Sequence, residues 1–329
     1  MQASAQAQAN VALVKYWGKR DTDLNIPAVG SLSVTLDALW TRTRVTFDPA
    51  LGKDVLRISG QPDTPAHQTE RATRCLDRLR HLAGVAYGAH IETENNFPTG
   101  AGLASSASGF AALVTAGAHA LGLDLTAPRR SVLARQSSAS AARSIFGGFV
   151  ELDPDHGTAD GAATPLLAPD AWPLEVTIAL TSEQPKTVGS TAGMGHTAQT
   201  SEYYDAWVGT APRDMATARR AVAERDFEAL ARVSERSCLK MHGLMLSADP
   251  GLVYWNSATV ACIHAIRALR RSGVPVFFTI DAGPQVKAIS PPGAAGQVQT
   301  MLRTVSGVLD VIRSGLGAGA RVLPEGYCR

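Results

Sequence analysis

Residues 95–109 read Asn-Asn-Phe-Pro-Thr-Gly-Ala-Gly-Leu-Ala-Ser-Ser-Ala-Ser-Gly and run directly into an apolar stretch of small residues. Such a loop suits phosphate. Gly100 and Gly102 let backbone N–H groups turn toward one point, and a helix expected to begin near Leu103 aims its positive end there. The loop has neither the Lys-Ser/Thr of a Walker sequence nor the strand followed by GxGxxG of a dinucleotide fold. A nucleoside triphosphate would therefore be held by a third route.

Four further segments could act on such a ligand. Ser137–Ser144 carries hydroxyls at Ser138 and Ser140 and a guanidinium at Arg143. Serine donors beside a planar guanidinium fork suit an oxyanion, although a serine-rich helix end with a surface arginine reads equally well. Lys15, Lys19 and Arg20 follow an expected strand at 10–14, as a ligand site at a strand end or as an ordinary basic turn. Asp281 ends the apolar run Phe277–Ile280 and precedes Ala-Gly-Pro. It could take a proton from a substrate hydroxyl, or cap the turn. Lys186 and Ser190 lie in a Gly-containing segment that either closes over phosphates or links two halves of the chain. His242, between Leu239 and Met245 on an expected helix, reads as a core or helix-surface histidine.

The elements that must position these groups change character along the chain. Strands are expected at 10–14, 31–36, 41–47 and 90–93, interrupted by a helix at about 70–82. Helices at about 103–121 and 127–137 follow, then strands at 149–152 and 174–180. Beyond 190 helices dominate, at about 212–224, 226–246, 251–272 and 295–314. Strands at 276–280 and 286–289 flank the Asp281 turn. This order indicates an α+β fold and argues against a doubly wound sheet. A compositional shift near 182–195 suggests two domains, 1–185 and 186–329.

Bulk properties narrow the function. The 329 residues carry a formal net charge of +2, and no stretch interleaves basic and aromatic residues, which argues against nucleic acid. Arg267, Arg270 and Arg271 read as a solvated helix end. No apolar run approaches the roughly 20 residues of a membrane span, and the first residues lack a signal peptide's pattern. The four cysteines are widely separated, which indicates reduced thiols in a cytoplasmic protein and no structural zinc.

Taken together, Lys-Tyr-Trp-Gly-Lys-Arg-Asp at 15–21, the 95–109 loop, Ser-Ala-Ser-Ala-Ala-Arg-Ser at 138–144 and Asp-Ala-Gly-Pro at 281–284 resemble the diphosphomevalonate decarboxylase family of the GHMP kinase superfamily. The resemblance keeps its order from residue 8 to about 290. It implies a two-domain α+β GHMP kinase fold with the active-site cleft between the domains, and a homodimer. It also implies ATP-dependent conversion of mevalonate 5-diphosphate to isopentenyl diphosphate, with ATP and Mg²⁺ as cofactors. On this resemblance Asp281, Arg143 and Lys15 are catalytic. Asn10, Tyr16, Lys19, Ser138, Ser140 and Arg143 bind substrate. Pro98, Gly100, Gly102, Leu103, Ala104, Ser105, Ser106, Lys186 and Ser190 hold the nucleotide, with Ser106 also at the metal. The chain departs from the family at 28–30, where Ala-Val-Gly replaces Thr-Asn-Ser, at Ala139 and at Gln285. The changes at 28–30 and 139 bear on the substrate's phosphate end, and three alternatives stay open: a phosphomevalonate decarboxylase, a small-molecule GHMP kinase and a non-catalytic ATP-binding or interaction protein.

Overall fold

Alternating small and polar side chains from Gln2 to Asn10, followed by the apolar run Val11–Val14, make the long first strand, β1 (Gln2–Val14). The computed structural model describes residues 1–97, 105–155 and 161–324. After β1 come β2 (Lys19–Asp21), β3 (Ile26–Pro27), β4 (Ser31–Asp48), β5 (Val55–Ile58), α1 (Ala66–Ala83) and β6 (Gly88–Asn95). Next are α2 (Ser105–Ala120), α3 (Ala127–Ser137), α4 (Ala141–Ser144), β7 (Phe149–Leu152), β8 (Thr164–Leu167) and β9 (Glu175–Leu180). The remainder is α5 (Ser190–Thr200), α6 (Tyr204–Glu224), α7 (Phe227–Leu246), α8 (Ser257–Arg271), β10 (Phe277–Ile280), β11 (Val286–Ser290), α9 (Pro292–Arg303), β12 (Asp310–Ser314) and β13 (Arg321–Val322).

Two main sheets result. The first runs β13-β1-β4-β6-β5, with β7 and β8 extending from β4; the second runs β10-β11-β9-β12. The α+β expectation holds. The domain boundary expected at 185/186 falls after β9, which hydrogen-bonds within the second sheet, while β13 returns to the first. The passage between the sheets therefore lies between β8 and β9.

Helix α2 is buried nearly all round, which its Ala, Gly and Ser content permits. A Cβ at Gly117 would lie 2.8 Å from a Leu79 methyl carbon, so glycine is what lets α1 and α2 approach. Two irregularities in the pairing of β1 with β4, near Gln8–Asn10 and Ala12–Val14, re-aim the strand just where Asn10 and Lys15 leave it.

Three local expectations change. The strands expected at 31–36 and 41–47 are one strand, because Asp37–Trp40 contains no Gly or Pro and Ser314 Oγ accepts the N–H groups of Asp37 and Ala38. The helix expected at 295–314 stops at Arg303: Gly307 turns at φ 84°, and the β-branched pair Val311-Ile312 then zips against β9. Helix α5 arises where a loop was expected. Its Gly-rich sequence has little intrinsic helicity, and packing supplies the rest: Trp17 Nε1 donates to Thr197 Oγ1 at 2.7 Å, and Gly193 sits against Trp17 and Tyr254.

Candidate active site

A cavity of about 1120 Å³ opens where the ends of β1 and β10 meet α2, α3, α4 and the segment before α5. That volume exceeds a typical single-ligand pocket, about 300–1,000 Å³. Every expected site residue within the described part lines it, beginning with Asn10, Lys15, Tyr16, Lys19, Ser105 and Ser106. Ser138, Ser140, Arg143, Lys186, Ser190 and Asp281 complete the set. Pro98, Gly100, Gly102, Leu103 and Ala104 lie outside the described residues. Helix α2, however, begins at Ser105 beside the cavity, so its positive end faces the space the loop would border.

At the cavity floor an ion pair joins the two halves of the chain. Lys15 Nζ lies 2.5 Å from Asp281 Oδ1, and Lys287 Nζ lies 3.3 Å from Oδ2. Both lysine side chains are 1% exposed, whereas Asp281 keeps 24%, so the carboxylate is the most accessible member of the trio. Burial pushes the Asp281 pKa upward, but Lys15 and Lys287 beside it prevail and hold the carboxyl well below its usual range. Burial lowers the pKa of Lys287, with Asp281 opposing the change. Lys15 Nζ also donates to Ala12 O at 2.8 Å, the same carbonyl that accepts Thr279 Oγ1 at 3.1 Å.

Arg143 is the second fixed point. It comes from the single turn of α4 yet is only 2% exposed. Its Nε donates to Ser33 Oγ at 2.9 Å and one terminal nitrogen donates to Ser31 Oγ at 2.6 Å, both from β4. Asn10 Oδ1 lies 3.4 Å from the other terminal nitrogen, while Asn10 Nδ2 donates to Ser140 O and Ser144 Oγ. Burial pushes the Arg143 pKa down to about 10, with Asp281 opposing, so the group stays cationic at neutral pH. It is a rigid, charged fork aimed along the cavity wall.

Around these points lie weaker donors and a rim of charge. Ser138 Oγ is 3.1 Å from Ser140 Oγ and 3.5 Å from Ser106 Oγ, a cluster of hard oxygen donors. Among the described residues no group of three or more His, Cys, Asp or Glu side chains could cage a metal. That donor set fits Mg²⁺, which takes few protein ligands and completes its shell with phosphate oxygens and water. Lys186 Nζ donates to Ser190 Oγ at 2.7 Å and to Ala282 O at 3.2 Å, next to Asp281. The start of its segment is pinned by Gln285, whose side chain accepts from Thr181 N and donates to Ser182 O. Burial of the Tyr16 phenol raises its pKa, keeping it a neutral donor.

Several contributors were not expected from the sequence. Arg71, Arg74 and Arg78 on α1 line the cavity together with Lys19. Their spacing puts them on one helical face, a signal that reads as an ordinary solvated stripe until α1 is placed. Lys287, Ser31 and Ser33 were also missed; each looks like a routine polar residue in a strand. His242 is 3% exposed and, as expected of a core histidine, does not line the cavity. Burial takes its pKa down to about 3. With so many cations converging, a chain of nearly neutral net charge presents a strongly positive cleft.

The backbone of this site tolerates little change. Gly18 sits between Trp17 and Lys19 at φ 99°, and a Cβ there would run into the Tyr204 hydroxyl. Gly18→Ala is expected to destabilise the protein by about 1–3 kcal/mol from backbone strain. A thermal melt compared with the parent chain checks this; an unchanged midpoint would contradict the strain argument.

Comparison with known proteins gives this constellation its context. Residues 7–163 match the diphosphomevalonate decarboxylase-like N-terminal domain, and residues 176–311 match the mevalonate 5-diphosphate decarboxylase C-terminal domain. The diphosphomevalonate decarboxylase of Ganoderma lucidum is 37% identical over 88% of this chain and 78% of its own length. A phosphomevalonate decarboxylase of Haloferax volcanii is 33% identical over 99% of this chain and 98% of its own. A solved structure, MDDEF in complex with MVAPP, AMPPCP and magnesium, superposes with a TM-score of 0.90 at 36% identity, covering 98% of this chain and 99% of that one. The fold is thus the two-domain α+β fold of those enzymes. Both halves of the sequence and the architecture around its cleft lead to the same assignment: this chain belongs to the diphosphomevalonate decarboxylase family.

Proposed function

We propose that this chain decarboxylates mevalonate 5-diphosphate at the expense of ATP, giving isopentenyl diphosphate, ADP, phosphate and CO2. The carrying observation is that Asp281, paired with Lys15, and the fixed guanidinium of Arg143 line one cavity. One small acid could present its hydroxyl to the first and its carboxylate to the second.

The chemistry requires both. A tertiary hydroxide leaves poorly, so the γ-phosphoryl group of ATP is first transferred to the 3-hydroxyl. Phosphate then departs with the C3–O bonding electrons. The bond from C2 to the carboxylate supplies the electrons of the new alkene, and CO2 is released. Asp281 orients the attacking hydroxyl and accepts its proton. Because two lysines depress its basicity, that transfer belongs late in the step, when the hydroxyl has become acidic. Arg143 aligns the carboxylate with the breaking C3–O bond. Lys186, Ser105 and Ser106 border the phosphate path, and bound Mg²⁺, with Ser106 at its edge, would offset charge on the phosphate oxygens.

Lys19, Arg71 and Arg74 line the same cavity as Ser138 and Ser140, and Arg71 donates to Ser137 O at 3.4 Å. That number of cations favours a diphosphate over a monophosphate terminus. The Haloferax volcanii relative keeps the monophosphate as the second reading. The test is CO2 and ADP release with each substrate in the presence of Mg-ATP. We expect the diphosphate to have the higher kcat/KM by roughly tenfold or more, a margin that one charged hydrogen bond supplies. Preference for the monophosphate would overturn the substrate assignment, and ADP without CO2 would make the chain a plain kinase.

The same reading places the protein in the cytoplasm as a homodimer of two-domain subunits, divided near 185/186 or at the earlier β8–β9 passage. Among the described residues no helix is long and apolar enough to cross a membrane. Sedimentation analysis of the purified chain tests the dimer.

A further inference from the structure

β10, the strand that delivers Asp281, lies at the edge of the second sheet and, among the described residues, pairs only with β11. Its other edge would need hydrogen-bond partners. Helix α7 provides them from side chains. Glu235 Oε1 accepts the Phe278 N–H at 3.3 Å, Cys238 Sγ accepts the Ile280 N–H at 3.2 Å, and His242 Nε2 lies 3.3 Å from Ile280 O. Positions 235, 238 and 242 share one helical face, so α7 stands where a neighbouring strand would be.

The same helix also reaches the other half of the ion pair. Ser237 Oγ accepts the backbone N–H of Lys15 at 2.9 Å. Ser237, Cys238 and His242 are all at most 3% exposed. Trp255 Nε1 lies 3.3 Å from the same His242 nitrogen, and its indole packs on the imidazole with ring centroids 4.6 Å apart, so when Nε2 carries the proton that Ile280 O accepts the indole holds the ring by packing alone. One turn of α7 therefore touches the residue before Asp281 and the backbone of Lys15.

We propose that Cys238 and His242 are positioning residues for phosphoryl transfer. By pinning Ile280 they fix where Asp281 presents its carboxylate relative to Lys15. Neither group reaches the cavity; both act through the backbone of one residue. The kinetic consequence rests on the decarboxylase reading above, but the geometric consequence does not.

The test combines Cys238→Ala with His242→Leu, which removes the side-chain partners of Ile280 while keeping the site apolar and leaving Glu235 on Phe278. Crystal structures and kinetics are read together with melting temperatures. In the combined variant the Lys15–Asp281 contact opens beyond hydrogen-bonding distance. Its kcat falls on the order of 100-fold, the usual cost of misplacing a reacting group by about an ångström, while KM for both substrates stays near the parent value. Cys238→Ser with His242→Gln restores hydrogen-bonding groups at both positions and recovers most of kcat. An unchanged ion pair, or a lowered melting temperature with kcat intact, would overturn the proposal by reducing both residues to core filling. Should the combined variant fail to fold, Cys238→Ala alone is judged by the same contact and the same kcat. If the parent chain turns over no mevalonate derivative, the decarboxylase reading fails, and the ion-pair distance still decides the clamp.

Discussion

Asp281→Asn is expected to abolish product formation, a loss on the order of a thousandfold or more, while ATP still binds. The amide cannot accept the hydroxyl proton, and it no longer neutralises Lys15 and Lys287. Those lysines are 1% exposed and face the same carboxylate, so the substitution leaves two buried ammonium groups without their shared counter-ion. Breaking a buried pair in this way costs about 3–5 kcal/mol, so the variant should also melt earlier. The pH dependence follows from the direction of the Asp281 shift. Its folded-state pKa lies below the unfolded value, so the stabilisation is fully present above ordinary carboxylate titration. It is lost progressively as pH falls from the ordinary carboxylate range down through the depressed folded value. Between neutrality and pH 5 the parent should therefore show no stability change traceable to Asp281. ADP release, nucleotide titration and calorimetry check the three parts. Retained turnover in Asp281→Asn would remove this residue from the chemistry.

Arg143→Lys is expected to lower kcat/KM by roughly a hundredfold or more, and to affect CO2 release at least as strongly as ADP release. A lysine keeps the charge but loses the planar fork. Ser31 and Ser33 would each lose their guanidinium donor, and hydrogen bonds to charged groups are worth about 1.5–3 kcal/mol apiece. The new ammonium would also be free to settle at other positions along the wall. A substrate carboxylate would then be bound but poorly aligned with the C3–O bond. The informative quantity is the ratio of CO2 to ADP: a ratio below one means that phosphorylated intermediate accumulates without fragmenting. Parent-like kinetics in Arg143→Lys would show that charge alone suffices and that the serine mounts are incidental.

The residues that could be anticipated share a property. Each sits in a local pattern whose chemistry is visible without neighbours: Asp281 at the end of an apolar strand before Ala-Gly-Pro, Arg143 in a serine-rich turn, and the phosphate loop before a helix of small residues. Lys287 fails that criterion, because a lone lysine in Val-Lys-Ala-Ile ordinarily points to solvent. Its role follows from the register that pairs it with Thr279, two residues before Asp281. Ser31 and Ser33 likewise matter only because Arg143, more than a hundred residues away, is folded onto them. At the level of elements, α5 was invisible because its two glycines oppose helix formation, and only the packing of Trp17 and Tyr254 against Gly193 offsets that. The tail of the helix expected at 295–314 became β12 because β9 offered it an edge.

The α+β class, the family, and the acid and guanidinium that line the cavity were all legible in the sequence alone. Those features are encoded in short runs where side-chain chemistry and backbone preference act locally. The tertiary structure alone decided which lysines neutralise Asp281, what mounts Arg143, and how α1 lends its arginines to the cleft. These depend on segments far apart in the chain being brought within a few ångströms, where burial turns modest charges into strong, directional ones.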